Sequence, residues 1–183
     1  MELIQQKQKK AFEALKKGFE WKNAMQTPRI ERVVVSAGIG KFMKDKKKTE
    51  LIADRLAKIT GQKAVPRGAK KSIASYKTRT GDTVGYQITL RGKRMQDFLN
   101  RLIHIALPRT KDFKGLRSAG IDEMGNYTLG MREHAVFPET SDEELKDVFG
   151  IGVTVVTSAK DKKIAKAYLQ HLGFPFKKDV SQK

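Results

Sequence analysis

Between Asp82 and Arg91 apolar and polar side chains alternate without interruption. Val84, Tyr86, Ile88 and Leu90 fall on one parity, and Thr83, Gly85, Gln87, Thr89 and Arg91 on the other. A period of two sends successive side chains to opposite faces, so the segment predicts a strand with one apolar face and one polar, cationic face. Three further segments predict strands: Ile30 to Ala37, rich in β-branched residues after the break at Pro28; Tyr127 to Glu133; and Gly152 to Thr157. Helical spacing marks Met1 to about Trp21, with Phe12, Leu15 and Phe19 on one side. It recurs after a candidate N-cap at Thr49, with Ile52, Leu56 and Ile59 in phase, up to a stop at Gly61. A third helix runs from Arg94 to Ala106 with Met95, Phe98, Leu99, Leu102 and Ile103 inward, and Pro108 stops it. The last spans Asp161 to Leu172 and ends at Gly173 before Pro175.

Strands mostly separated by helices, with one-sided alternation, predict an α+β fold: an antiparallel-rich sheet of about five strands, helices packed on one face, and a polar, basic face left open. There is no fixed-period repeat or low-complexity tract, so residues 1–183 predict a single domain. Residues 1–22 form its basic N-terminal helix and 69–81 a protruding basic loop.

Charge narrows the function. Lys+Arg number 38 and Asp+Glu 20, a net charge of +18. Such an excess repels itself unless a polyanion neutralises it, and nucleic acid is the default partner. The excess is uneven: +7 over residues 1–57, +12 over 58–117 and −1 over 118–183. Lys58 to Gly81 is densest, with Lys58, Lys63, Arg67, Lys70, Lys71, Lys77 and Arg79 and no acid. A membrane surface would want a bulky aromatic-rich apolar face, which the stretch Met1–Lys17 lacks. No apolar run approaches the ~20 residues of a membrane span, and the N-terminus lacks the apolar core of a signal peptide. Absent cysteine removes disulfides, thiolate metal sites and a thiol nucleophile, and fits a reducing cytoplasm.

Catalytic motifs fail on spacing. After Gly38 and Gly40, a dinucleotide loop needs glycine where Met43 stands. A phosphate loop ending in Gly40-Lys41 needs glycine at Val35 and a hydroxyl at Phe42. What remains at Gly38 and Gly40 is a tight turn that lets the backbone come close to something. His104, His134 and His171 are scattered without metal-ligand spacing, which reads as structural or surface histidine. The acidic group Glu139, Asp142, Glu143, Glu144 and Asp147 lacks calcium-loop spacing and reads as a solvated helix start. Ser72 and Ser75 have no histidine nearby to act as base. The chain is expected to be non-catalytic, with no cofactor and no metal.

The informative stretch is 60–94. Its loop, Ala69 to Arg79, mixes cations, hydroxyls and one aromatic. Cations neutralise phosphates, hydroxyls and amides position them, and Tyr76 offers either a stacking surface for a base or a core aromatic. The strand that follows presents Gln87, Thr89 and Arg91 on its polar face, a geometry suited to a sheet-surface RNA platform.

Here the chain closely resembles the bacterial large-subunit ribosomal proteins that bind 5S rRNA, numbered five in the subunit's protein series. The match runs from about Asn23 to Phe176. It is carried by Thr60-Gly61-Gln62-Lys63, Ala69-Lys70-Lys71-Ser72-Ile73-Ala74, Thr89-Leu90-Arg91-Gly92, Arg94-Met95, Leu107-Pro108-Arg109, Asp112-Phe113-Lys114-Gly115, Gly125-Asn126-Tyr127-Thr128-Leu129-Gly130, Phe137-Pro138-Glu139 and Pro175-Phe176. Each is weak alone; their order and spacing are specific. The resemblance implies a place on the ribosome, cytoplasmic or organellar, in the central protuberance of the large subunit. The implied partners are 5S rRNA, large-subunit rRNA, peptidyl-site tRNA and a protein of the small-subunit head. Carried over by position, the 5S surface would use Arg32, Ser36, Gln62, Lys63, Gln87, Thr89, Arg91 and Arg94. The loop contacting tRNA would use Lys70, Lys71, Ser72, Tyr76, Lys77, Thr78, Arg79 and Thr80. This chain departs from the family at Ser36, usually Asn, at Thr140, usually aliphatic, and at Glu123, usually Gly; Met1–Lys22 matches least.

Two other classes make different demands. A general duplex binder would hold DNA and 5S rRNA about equally. An RNA-modifying enzyme would need a cofactor loop or a carboxylate constellation, which the failed glycine spacing argues against.

Overall fold

Strand β1 (Ile30–Gly38) lies at the centre of the sheet because its alternation serves two surfaces. Val33, Val35 and Ala37 are buried, whereas Arg32, Ser36 and Gly38 are exposed. The computed structural model describes residues 3–43, 45–140 and 148–177. Within it β1 pairs antiparallel with β3 (Thr83–Leu90) on one side and β5 (Ile151–Thr157) on the other. β2 (Val65–Gly68) and β4 (Tyr127–Met131) form the edges, both antiparallel to their neighbours, giving the order β2-β3-β1-β5-β4. The α+β class and the five-stranded sheet agree with the sequence pattern. Register aligns the apolar parity across strands: Val33 faces Leu90 and Val155, and Val35 faces Ile88 and Val153.

That apolar face is covered by α2 (Lys46–Thr60), α3 (Gly92–Arg101) and α5 (Lys162–Leu172), whose inward residues join the strands in one core. α1 (Ile4–Phe19) packs on α5 and α3. The Ile4 N–H donates to Asn100 Oδ1 at 3.1 Å, and Lys7 Nζ donates to the Leu172 carbonyl at 3.2 Å. The segment least like the family is therefore tied to the body of the domain. Tyr127 meets Phe174 and Phe176 edge-on, at ring separations of 6.1 and 5.2 Å. The tail beyond α5 bonds back to the 110–117 segment through Leu116 and Pro175.

Three sequence expectations are corrected. The cap of α2 is Asp45, whose carboxylate accepts the Lys48 N–H at 3.2 Å. Thr49 lies inside the helix, its hydroxyl donating to the Lys46 carbonyl at 2.8 Å. Pro108 does not stop the third helix. Leu102–Ala106 widens into a π-turn, and α4 (Leu107–Arg109) carries the helix through the proline. A widened turn accommodates a ring and a lost donor without breaking the axis. Thirdly, β2 is a strand that alternation did not predict; Pro66 cannot donate to a ladder, and an edge position tolerates it. The expected helix start through Asp142, Glu143, Glu144 and Asp147 lies outside the described residues. Its first member, Glu139, pairs with Arg101 Nε at 2.8 Å.

His134 and His171 hold structure. His134 is buried, stacked on Phe149 at 4.2 Å, and its Nδ1 accepts the Phe149 N–H at 3.4 Å. His171 Nε2 lies 2.9 Å from the Lys7 carbonyl. Thr140, the departure at a usually aliphatic position, is buried with its hydroxyl donating to the His134 carbonyl at 3.1 Å. Burial and the nearby Lys7 ammonium hold the His104 pKa below its ordinary 6.5.

Two outcomes follow. Phe98, fully buried and stacked on Phe137 at 5.8 Å, should cost about 3–5 kcal/mol when replaced by alanine, read from urea unfolding. At His104 the folded state disfavours the imidazolium, so the unfolded chain binds more protons as pH falls below 6.5. Stability should therefore drop between pH 7 and 5, and drop less in His104→Asn; equal losses in both proteins would remove His104 as the cause.

Candidate nucleic-acid interface

The face opposite the helices has no covering element among the described residues. Cross-strand rows compose it, one of them Gly38 opposite Gly85. Ser36 stands opposite Gln87 on one side and Gly152 on the other, Val34 stands opposite Thr89 and Thr154, and Arg32 faces Val156. β4 extends the rows with Thr128 opposite Thr154 and Gly130 opposite Gly152. The predicted residues Arg32, Ser36, Gln87 and Thr89 thus share one surface, flat because its centre carries glycine, serine and threonine.

Local bonds set how these groups are presented. Ser36 Oγ donates to the Gly152 carbonyl at 3.4 Å, so the residue that replaces the family's Asn spends its hydroxyl on the adjacent strand. Arg67, on β2, donates from Nε to Gln87 Oε1 at 2.6 Å, leaving the rest of its guanidinium at the exposed edge. Thr128 and Thr154 pair their hydroxyls at 3.2 Å. Gln62 is half-buried and donates to the Thr89 carbonyl at 3.4 Å, bracing the strand end rather than standing free. Lys63, Arg91 and Arg94 are exposed around that same end. Arg91 occupies the N-cap of α3 with Arg94 in the first turn, and no acid offsets them there. Arg67, Thr128 and Thr154 were missed by sequence reasoning. The threonines' parity signals their face, but Arg67 becomes visible only once β2 is known to be a strand.

The 69–81 loop lies at the opposite end of β3. It continues the β2–β3 hairpin: Ala69 N–H donates to the Asp82 carbonyl at 2.8 Å, Gly81 N–H to Ala69 at 3.0 Å, and Ile73 bridges Thr78. Ser72 Oγ donates to the Thr78 carbonyl at 3.0 Å and Thr78 Oγ1 to Ile73 at 3.4 Å, so these two hydroxyls shape the loop from within. Asp82 caps the return by accepting the Arg79 N–H at 2.7 Å. The tip, Ala74–Tyr76, closes on Lys77 in the left-handed region at φ 53°. Lys70, Lys71, Tyr76, Lys77, Arg79 and Thr80 all point into solvent, and Tyr76 is 76% exposed, which settles it as a surface aromatic. The eight residues of β3 separate this loop from Arg91 by roughly 25 Å at ~3.4 Å per residue.

Gly38 and Gly40 were expected to allow a close approach. Neither has positive φ, and a β-carbon at either would meet no atom within 4 Å, so none of the described residues makes that approach. Asp82→Ala should release the loop without unfolding the sheet: amide exchange at Thr78 and Arg79 should quicken while global stability falls by no more than ~1–2 kcal/mol. Unchanged exchange would show that the hairpin bonds hold the loop without Asp82.

Comparison with known proteins gives this geometry its context. Residues 23–79 match the family model described as ribosomal protein L5, and residues 83–176 match the model of the same ribosomal family's C-terminus. The join falls between the loop and β3. Large ribosomal subunit protein uL5 of Trichlorobacter lovleyi is 46% identical over 93% of this chain and 95% of its own length. Its namesake in Flavobacterium johnsoniae is also 46% identical, over 93% of each chain. That of Ureaplasma urealyticum is 47% identical over 92% of each. With both halves matched in order and nearly full-length relatives at this identity, the chain belongs to the ribosomal protein L5 family.

Proposed function

We propose that this protein is a non-catalytic constituent of the large ribosomal subunit that binds 5S rRNA in the central protuberance. The observation that carries the reading is the open sheet face, with small and hydroxyl side chains around Val34, Arg32 and Arg67 on its strands, and Arg91 and Arg94 exposed just beyond the end of β3. A rigid surface of that kind recognises folded RNA by shape and backbone contact, cations neutralising phosphates while hydroxyls and amides set the register. The apolar packing beneath, Ile88 and Leu90 against Val33 and Val35, holds Thr89 and Arg91 in place.

Peptidyl-site tRNA is the second partner, met by the 69–81 loop. The bonded hairpin stem presents Tyr76, Lys77 and Arg79 as a preformed tip, which lowers the entropy lost on binding. Contacts with large-subunit rRNA and a small-subunit head protein complete the reading and rest on the family resemblance.

The deciding measurement is binding to 5S rRNA against a size-matched duplex across a salt titration. Non-specific affinity resting on ~6–10 phosphates should fall by about 10³–10⁵ between 50 and 200 mM salt, while 5S binding persists. Parallel loss of both would leave only a basic nucleic-acid binder. Arg91→Ala should weaken 5S binding by about 1–3 kcal/mol. Deleting Lys77 to Thr80 should leave 5S affinity near normal and impair tRNA positioning; loss of 5S binding instead would overturn this division of labour.

A further inference from the structure

The two edges of the sheet are finished differently. β2 carries Pro66 and a register shift between Arg67 and Gly68, both of which discourage a further strand. β4 is closed over only part of its length. The Asp122 N–H donates to the Asn126 carbonyl at 2.9 Å, and Ile121 bridges Tyr127. Gly120 lies against the Thr128 carbonyl, which a β-carbon there would meet at 2.6 Å. Asn126 and Thr128 therefore turn their backbone polar groups away from β5, and alternation along the strand turns those of Gly130 the same way. Neither the N–H nor the carbonyl of Gly130 has a partner among the described residues, and Gly130 is exposed with no side chain to shield them.

This open stretch borders a groove of about 810 Å³ whose other wall is the segment from Thr110 to Arg117. Phe113, Leu129 and Val136, all half-buried, contribute its apolar lining. Lys111, Arg117 and Arg132 line it too, exposed and without an acidic partner among the described residues. Asp112 and Glu133 also border it, but the far wall is cationic: residues 109–117 hold Arg109, Lys111, Lys114 and Arg117 against Asp112. Phosphate would satisfy these cations and leave the rest of the groove unused. An extended acidic peptide fits all of it. Its backbone meets the N–H and carbonyl of Gly130 together, alternate side chains lie over Phe113 and Leu129, and its carboxylates meet the cations.

We propose that the open edge of β4 is a protein-docking site, which takes an acidic, extended segment of a partner protein as an added strand bonded to Gly130. It uses the edge of the sheet and stands whether or not the open face binds RNA.

The test titrates the full chain, labelled with ¹⁵N, with the capped peptide Glu-Val-Glu-Val-Glu. The controls are Lys-Val-Lys-Val-Lys, a fully N-methylated form of the acidic peptide, and a short oligouridylate. The acidic peptide should shift the amides of Phe113, Leu129, Gly130 and Met131 saturably and slow hydrogen exchange at Gly130; the lysine and N-methylated peptides should not. Gly130→Pro removes the outward N–H without touching the ladder to β5. It should weaken the acidic peptide about tenfold, through one lost backbone bond, while Tm stays close to wild type. Lys111→Glu combined with Arg117→Glu should turn the preference towards the lysine peptide. Absent shifts, shifts that spare Gly130, equal binding of the N-methylated peptide, or oligouridylate holding the same amides more tightly would each overturn the proposal. Should Gly130→Pro unfold, the N-methylated peptide and the charge-reversed variant decide the matter without it.

Discussion

Burial of one face of β1, with partners along both its edges, is the constraint on which the rest depends. Val33 and Val35 are fully buried, and each aligns with apolar residues on β3 and β5. A slip of one residue would drive Arg32 and Ser36 into the core and expose both valines. Because burying an unpaired guanidinium costs several kcal/mol, the register is held by what must stay outside as much as by what must go in. The same register brings residues 83–90 and 151–157 to either side of residues 30–38, so β1 joins the two halves that the family models match separately.

The open face is thus a by-product of packing. Once Val33, Val35 and Ala37 are buried, Arg32, Val34, Ser36 and Gly38 can only line a second surface, and the neighbours' matching parity makes it continuous. Its flatness comes from Gly130, Gly152 and Ser36, and its charge gathers at the rim, at Arg67, Arg91 and Arg94. Uncharged centre and cationic border suit a partner that brings its own charge along a rigid helical backbone.

The ends of β3 serve different geometries. At one end a hairpin projects, stiffened by Ser72, Thr78 and Asp82, whose polar groups are spent inside the loop so that the larger cations need not be. At the other, Gln62 braces the Thr89 carbonyl and α3 begins with cations. α1 bonds to Asn100 and Leu172 on the helical side, and residues 175–177 bond to Leu116.

Much of this was legible in the residues themselves. Alternation in 82–91 and the β-branched run 30–37 located two central strands of the open face, because period-two patterning is a local consequence of one-sided burial. Charge density pointed to the 69–81 loop, and the ordered motifs pointed to the family. Other features depended on groups far apart in sequence. β2 was hidden because Pro66 and a four-residue length leave no pattern, and only pairing with β3 makes it a strand. Asp45 rather than Thr49 caps α2 because capping depends on where the backbone leaves the extended region, which composition does not specify. Pro108 is tolerated because a π-turn five residues long precedes it. The Arg67–Gln87 and Thr128–Thr154 pairs exist only once register sets the strands side by side. Sequence determined which side chains face inward and which remain charged outside; tertiary structure decided which of the outward ones meet, since adjacency across a sheet is set by pairing and not by spacing along the chain.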